Sequence, residues 1–211
     1  KHINMKIDRG TFIDLSGSTA EIIDLRGWGL SQETLVVTGC PNLKKLLVSG
    51  IQIKHLKIVD CPKLRTIKCQ RMGLESLEIS GCPKLRKLDC SSNHLTRLPA
   101  GLELKYLDCS NNQLQSIPSM TKIKMLFCDN NHIVSLPPMK RLKRLYCSRN
   151  RLHRLPHSNE LPKMVHLDAR YNLLHTIAKY PKLTFCDSFG NKIRRGQAAK
   201  IPGTVINVPS W

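Results

Sequence analysis

Six asparagines, Asn93, Asn112, Asn131, Asn150, Asn172 and Asn191, recur at intervals of 19, 19, 19, 22 and 19 residues. Each has an apolar residue or Cys five positions before it and Leu or Ile two positions after it. Three successive units read Leu107-x-Cys109-x-x-Asn112-x-Leu114, Leu126-x-Cys128-x-x-Asn131-x-Ile133 and Leu145-x-Cys147-x-x-Asn150-x-Leu152. A fixed period near 20 predicts a solenoid, in which each coil buries its apolar side against its neighbours and the core grows along one axis. Aromatic residues make up only 5% of the chain, so that core has to be built from Leu, Ile, Val and Cys.

Pairs of apolar residues separated by one position mark short strands, because side chains alternate across a strand. They occur at Ile13/Leu15, Ile23/Leu25, Leu35/Val37, Leu46/Val48, Leu56/Ile58, Ile67/Cys69, Leu77/Ile79 and Leu88/Cys90, in steps of 10 to 12 residues. Two strands per coil follow, one on each side. After Leu88 one side keeps its strand, while the other becomes Leu98-Pro99, Ile117-Pro118, Leu136-Pro137 and Leu155-Pro156. Proline fixes φ and lacks an amide donor, so this second side is expected to be extended and unpaired. Met72 stands where the repeat would place an Asn, and residues 157–162 read as a loop insertion.

The pattern Leu-x-x-Leu-x-Cys-x-x-Asn-x-Leu, at Leu85 to Leu95 and Leu104 to Leu114, resembles a leucine-rich repeat. The short period and the recurring Leu-Pro are similar to repeats of bacterial effector proteins and of some large DNA viruses. The resemblance covers about residues 20–193. It implies a mainly β repeat solenoid, a horseshoe or arc with a parallel sheet on a partner-binding concave face and few helices. It also implies that each Asn stacks inside a turn and bonds the backbone of adjacent coils. Physical chemistry agrees, since a buried amide needs partners and the turn backbone offers them one coil away. The expected organisation is an N-terminal cap at 1–20, about nine coils over 21–193 and a C-terminal cap or tail at 194–211, with Val205 to Val208 as a closing strand.

Nine cysteines invite a disulfide reading, but their slots argue against it. Cys69, Cys90, Cys109, Cys128 and Cys147 share one repeat position, and Cys40, Cys61 and Cys82 form a second series, each followed by Pro. Free Cys packs as a small hydrophobe, so a reduced ladder inside the core is expected. The odd count and the lack of an Asn-x-Ser/Thr sequon point to a reducing, intracellular setting such as cytoplasm, nucleus, host cell or virion interior. No run is apolar enough to span a membrane and no secretory signal is visible. The chain opens on Lys1 rather than Met, which leaves room for a leader or a neighbouring domain.

Aligning the coils gives lanes of side chains on the strand face. The first reads Lys44, Arg65, Arg86, Lys105, Lys124 and Lys143, then lapses at Val165 and Thr184. With 34 basic residues against 15 acidic and a net charge of +19, this column suits a polyanion such as nucleic acid. Its plainer reading is a solvated basic flank. The next lane reads Leu47, Lys68, Asp89, Asp108, Phe127, Tyr146, Asp168 and Asp187, with Tyr106 and Met125 one lane over. Exposed aromatics ringed by charge are frequent interface anchors, so Tyr106, Asp108, Met125, Phe127, Asp129 and Tyr146 form the expected protein-docking face. The Asp residues would repel nucleic acid lying flat on the sheet.

Neither a phosphate loop nor a nucleophile elbow occurs, and there is no CxxC. His153 and His157 have an i, i+4 spacing interrupted by Pro156 and too few companions for a metal. No catalytic residue, cofactor, metal or small-molecule substrate is expected. The leading expectation is non-catalytic recognition of another protein, followed by polyanion attachment as a nucleic-acid-associated or virion-internal structural protein. By analogy with the family, the third is the recognition arm of a larger effector or ubiquitin ligase.

Overall fold

The computed structural model of the protein describes residues 5–8 and 11–193. The chain divides into two compact units, Lys1–Leu104 and Lys105–Trp211. The expected tail at 194–211, with its closing strand, lies outside the described residues.

The first unit carries β1 (Lys6–Asp8), β2 (Phe12–Asp14), β3 (Ile22–Asp24), β4 (Ser31–Thr38), β5 (Lys45–Leu47), β6 (Gln52–Val59), β7 (Thr66–Lys68), β8 (Ser76–Ser80) and β9 (Lys87–Asp89). They sort into two sheets by alternation: β1-β2-β4-β6-β8 on one side and β3-β5-β7-β9 on the other. All pairings are parallel except β1 with β2, a hairpin that runs Lys6 opposite Asp14 and covers the first coil. Ile13 and Leu15 already lie in the core, so the parallel ladder begins inside the segment expected to be a cap.

The second unit carries β10 (Tyr106–Asp108), β11 (Met125–Phe127), β12 (Arg144–Tyr146), β13 (His166–Asp168) and β14 (Phe185–Asp187), all parallel and in chain order. Its opposite side has no strand of two or more residues among the described residues; Ile117-Pro118, Leu136-Pro137 and Leu155-Pro156 run there extended. The few helices anticipated are absent among the described residues. A 19-residue coil closes with one strand, two corners and an extended return, and proline on that return denies a helix its donors.

Leu107, Leu126, Leu145 and Leu167 are fully buried beneath the strands of the second unit, and Cys109, Cys128 and Cys147 follow them inward. All nine cysteines are free thiols. The asparagines complete each turn. Asn131 Nδ2 donates to the carbonyls of Cys109 (3.0 Å) and Cys128 (3.1 Å), while its Oδ1 accepts from Leu114 N (2.9 Å). Asn150 and Asn172 repeat the set one coil on, and Asn191 bonds Ala169 O and Leu174 N. In the first unit Asn93 Oδ1 accepts from Met72 N and Leu74 N, so the coil lacking its own Asn is served by the next. Asn112 donates to Cys109 O and Ser110 O.

The residue before each of these turn positions is left-handed. Arg71, Ser92, Asn111, Asn130, Arg149 and Tyr171 have φ between 52° and 57°, and Gly190 has φ 73°. A Cβ on Gly190 would lie 2.5 Å from the Tyr171 ring, so crowding, added to the strain of its φ, calls for glycine there. The insertion is a tight turn, in which Glu160 Oε2 accepts from His157 N and Glu160 O accepts from Met139 N.

Candidate interaction face

Each strand of the second unit is three residues long, with its middle residue buried. The first and third residues therefore face outward in two lanes. The register aligns Tyr106, Met125, Arg144, His166 and Phe185 in one, and Asp108, Phe127, Tyr146, Asp168 and Asp187 in the other.

The rings join across these lanes. Tyr106 meets Phe127 at 5.5 Å between centroids, and Phe127 stacks on Tyr146 at 4.4 Å with planes 4° apart. Tyr146 meets His166 at 4.7 Å, and His166 stacks on Phe185 at 4.3 Å. One strip of five rings thus crosses all five strands. Sequence reasoning named the first three rings and missed His166 and Phe185. Their signal was there: both occupy the lane of Tyr106 and Met125. Desolvation lowers the His166 pKa, helped by the charge of Arg144 and opposed by Asp168.

The acidic residues are engaged internally. Asp108 and Asp187 each accept from the backbone N–H two residues on, at Ser110 and Phe189. Asp168 holds Arg170 through two side-chain bonds of 2.9 and 2.7 Å, and Arg170 lies 3.6 Å from Asp187. Asp129, expected at the docking face, has Oδ1 taken by Ser148 N (2.9 Å) and Ser148 Oγ (2.7 Å). Burial raises its pKa against the pull of those bonds, and the charge of Asp168 adds to the rise. Met125 is half-buried in the lane of Tyr106 and Arg144.

The cations behave differently in the two units. In the first, Lys44 Nζ pairs with Glu21 at 3.3 Å, and Arg86 donates to the carbonyls of Pro83 and Leu85, while Arg65 is exposed. In the second, Lys105, Lys124 and Lys143 each directly precede a strand. Their backbones are laddered, Lys124 N to Lys105 O and Lys143 N to Lys124 O at 2.9 Å. All three side chains are exposed, with no ion pair among the described residues. No group of three metal-ligating side chains comes together among the described residues. No helix there is long and apolar enough to cross a membrane.

Single-strand coils, one turn asparagine each and an extended return define a parallel β-solenoid. Residues 84–141 match leucine-rich-repeat models, a single repeat over residues 84–103 and a tandem pair over residues 102–141. Among solved structures the chain is similar to a leucine-rich-repeat protein of Leptospira interrogans, with 20% identity and TM-score 0.54, covering 80% of this chain and 56% of that one. It is similar to the functional domain of InlJ from Listeria monocytogenes, which includes a cysteine ladder, with 23% identity and TM-score 0.50, covering 87% of this chain and 45% of that one. It is also similar to the effector YopM of Yersinia pestis, at 24% identity, TM-score 0.48, 81% of this chain and 61% of that one. The chain thus spans about half the length of the first two, and at these identities the likeness is one of fold. A search of curated protein sequences gave no significant match.

Proposed function

We propose that the protein is a non-catalytic recognition module that docks another protein on the strand face of its second unit, through Tyr106, Asp108, Met125, Phe127 and Tyr146. The observation that carries this reading is the five-ring strip in a chain with so few aromatics. Rings placed on the outer lanes are withheld from the core, and clustered aromatics at the centre of a patch are where binding energy concentrates. Asp129 acts as a positioning residue, fixing the turn around Ser148. The test is partner capture from cell extract by wild type and by Phe127→Ala/Tyr146→Ala, with melting curves to verify that both are folded. Capture that survives the double substitution sinks the site.

A second reading, polyanion attachment, is favoured by the unpaired lysines at 105, 124 and 143 and by the charge of +19. Binding to nucleic acid or heparin would then fall steeply with salt, as counterions are released, and Lys→Glu changes at those positions would abolish it. A place as the recognition arm of a larger enzyme is the third reading. A longer reading frame would decide it.

A further inference from the structure

We propose that the partner surface is a short acidic segment carrying one aromatic side chain, seated on β11 and β12. This deepens the docking reading above and rests on it. Three observations converge there. First, the middle of the strip is the part of the outer lane without a carboxylate: Phe127 and Tyr146 stand where the flanking coils have Asp108 and Asp168. Second, cations line the entering side of the strands, with Lys105, Lys124 and Lys143 unpaired before them and Arg144 exposed beside Met125. Third, Phe127 and Tyr146 cover each other's faces, at 4.4 Å and 4°, so what a partner meets is ring edge. The edge is the positive side of an aromatic quadrupole. It favours carboxylates, carbonyls and the face of another ring.

The same stacking decides against single-stranded nucleic acid. Base stacking needs a free ring face, and the stacked rings offer none to each other's side. A long phosphate backbone would also run on from the cationic centre into Asp108, Asp168 and Asp187. A short peptide would not. With strands about 4.8 Å apart, three successive lysines span ~10 Å, about three residues of extended chain.

The probe is a fluorescein-labelled peptide of four glutamates around one phenylalanine, titrated by anisotropy. Its comparisons are the same peptide with glutamine for glutamate, the same with glycine for phenylalanine, and an oligonucleotide of equal charge. The acidic aromatic peptide is expected to bind at least ten-fold tighter than either altered peptide. Lys124→Gln/Lys143→Gln should remove most of that advantage. Lys179→Gln/Lys182→Gln, an equal charge loss elsewhere, should change it less than two-fold. Equal binding of the glutamine peptide, if it depends on Phe127 and Tyr146, overturns the acidic partner and leaves the docking face standing. Tighter binding of the oligonucleotide, indifferent to Phe127→Ala, overturns both in favour of polyanion attachment. No binding by any probe overturns the acidic segment alone.

Discussion

Asn131 shows how one side chain closes a coil: four hydrogen bonds tie it to backbone groups of its own turn and of the preceding coil. Asn131→Ala takes the acceptor from the buried Leu114 N and one donor each from Cys109 O and Cys128 O, so unfolding in denaturant should show a loss of about 1–3 kcal/mol. An unchanged midpoint would refute the buried column. The left-handed residue beside each such turn carries a strain of roughly 1–2 kcal/mol for a side chain, against about 0.5–1 kcal/mol of added chain entropy for glycine. Arg71→Gly should therefore gain up to about 1 kcal/mol, while Gly190→Ala, which drives a methyl into Tyr171, should lose stability. Asp129 gives a pH signature. Its folded-state pKa is raised by burial, so ionising it costs the fold stability at neutral pH and costs nothing once pH falls below its unfolded value. Asp129→Asn keeps an acceptor for Ser148 N and should melt higher than wild type at pH 7, with the gain shrinking toward pH 4.

At the level of strands and turns, much was readable in advance. The period of Asn places every strand of the second unit, and the Leu-x-Cys alternation marks three of the five, since burial at one position in three-residue strands leaves a sharp mark. Leu-Pro marks the unpaired return because proline cannot donate. What stayed hidden depended on neighbours distant in sequence. Asp108, Asp168 and Asp187 read as free charges, yet they bond turn backbone two residues on. Asp129 read as surface, yet Ser148 of the following coil claims it. His166 and Phe185 were passed over because their lane is mostly Tyr, Met and Arg, and only the register brings their rings into line. The cysteines follow the same logic. Cys82 is half-exposed and its thiol is drawn down to about 7 by bonding with Cys61, whereas burial pushes Cys69, Cys128 and Cys147 up. Iodoacetamide on the folded protein at pH 7 should label Cys82 first, as read by peptide mass mapping, and the core cysteines only after denaturation.

For the whole molecule, an excess of 19 positive charges ensures some attraction to any polyanion, so affinity measured at low salt says little about a specific partner. Docking through the ring strip should instead persist at physiological salt. Acidification bears on the same strip. The folded-state pKa of His166 is lowered, so the unfolded chain takes up its proton first, and stability falls as pH drops through the ordinary histidine range near ~6.5. His166→Phe should flatten that part of the wild-type melting profile between pH 7 and 5. The strip has a further consequence in the kinetics of capture. Five rings that already lean on one another have surrendered their rotamer freedom at folding, so a partner need not freeze them on arrival. Immobilising loose side chains on association costs about 0.5–1.5 kcal/mol each. A face spared that cost would release its ligand slowly, and a single alanine at an inner position of the row would loosen two neighbours along with the contact it removes.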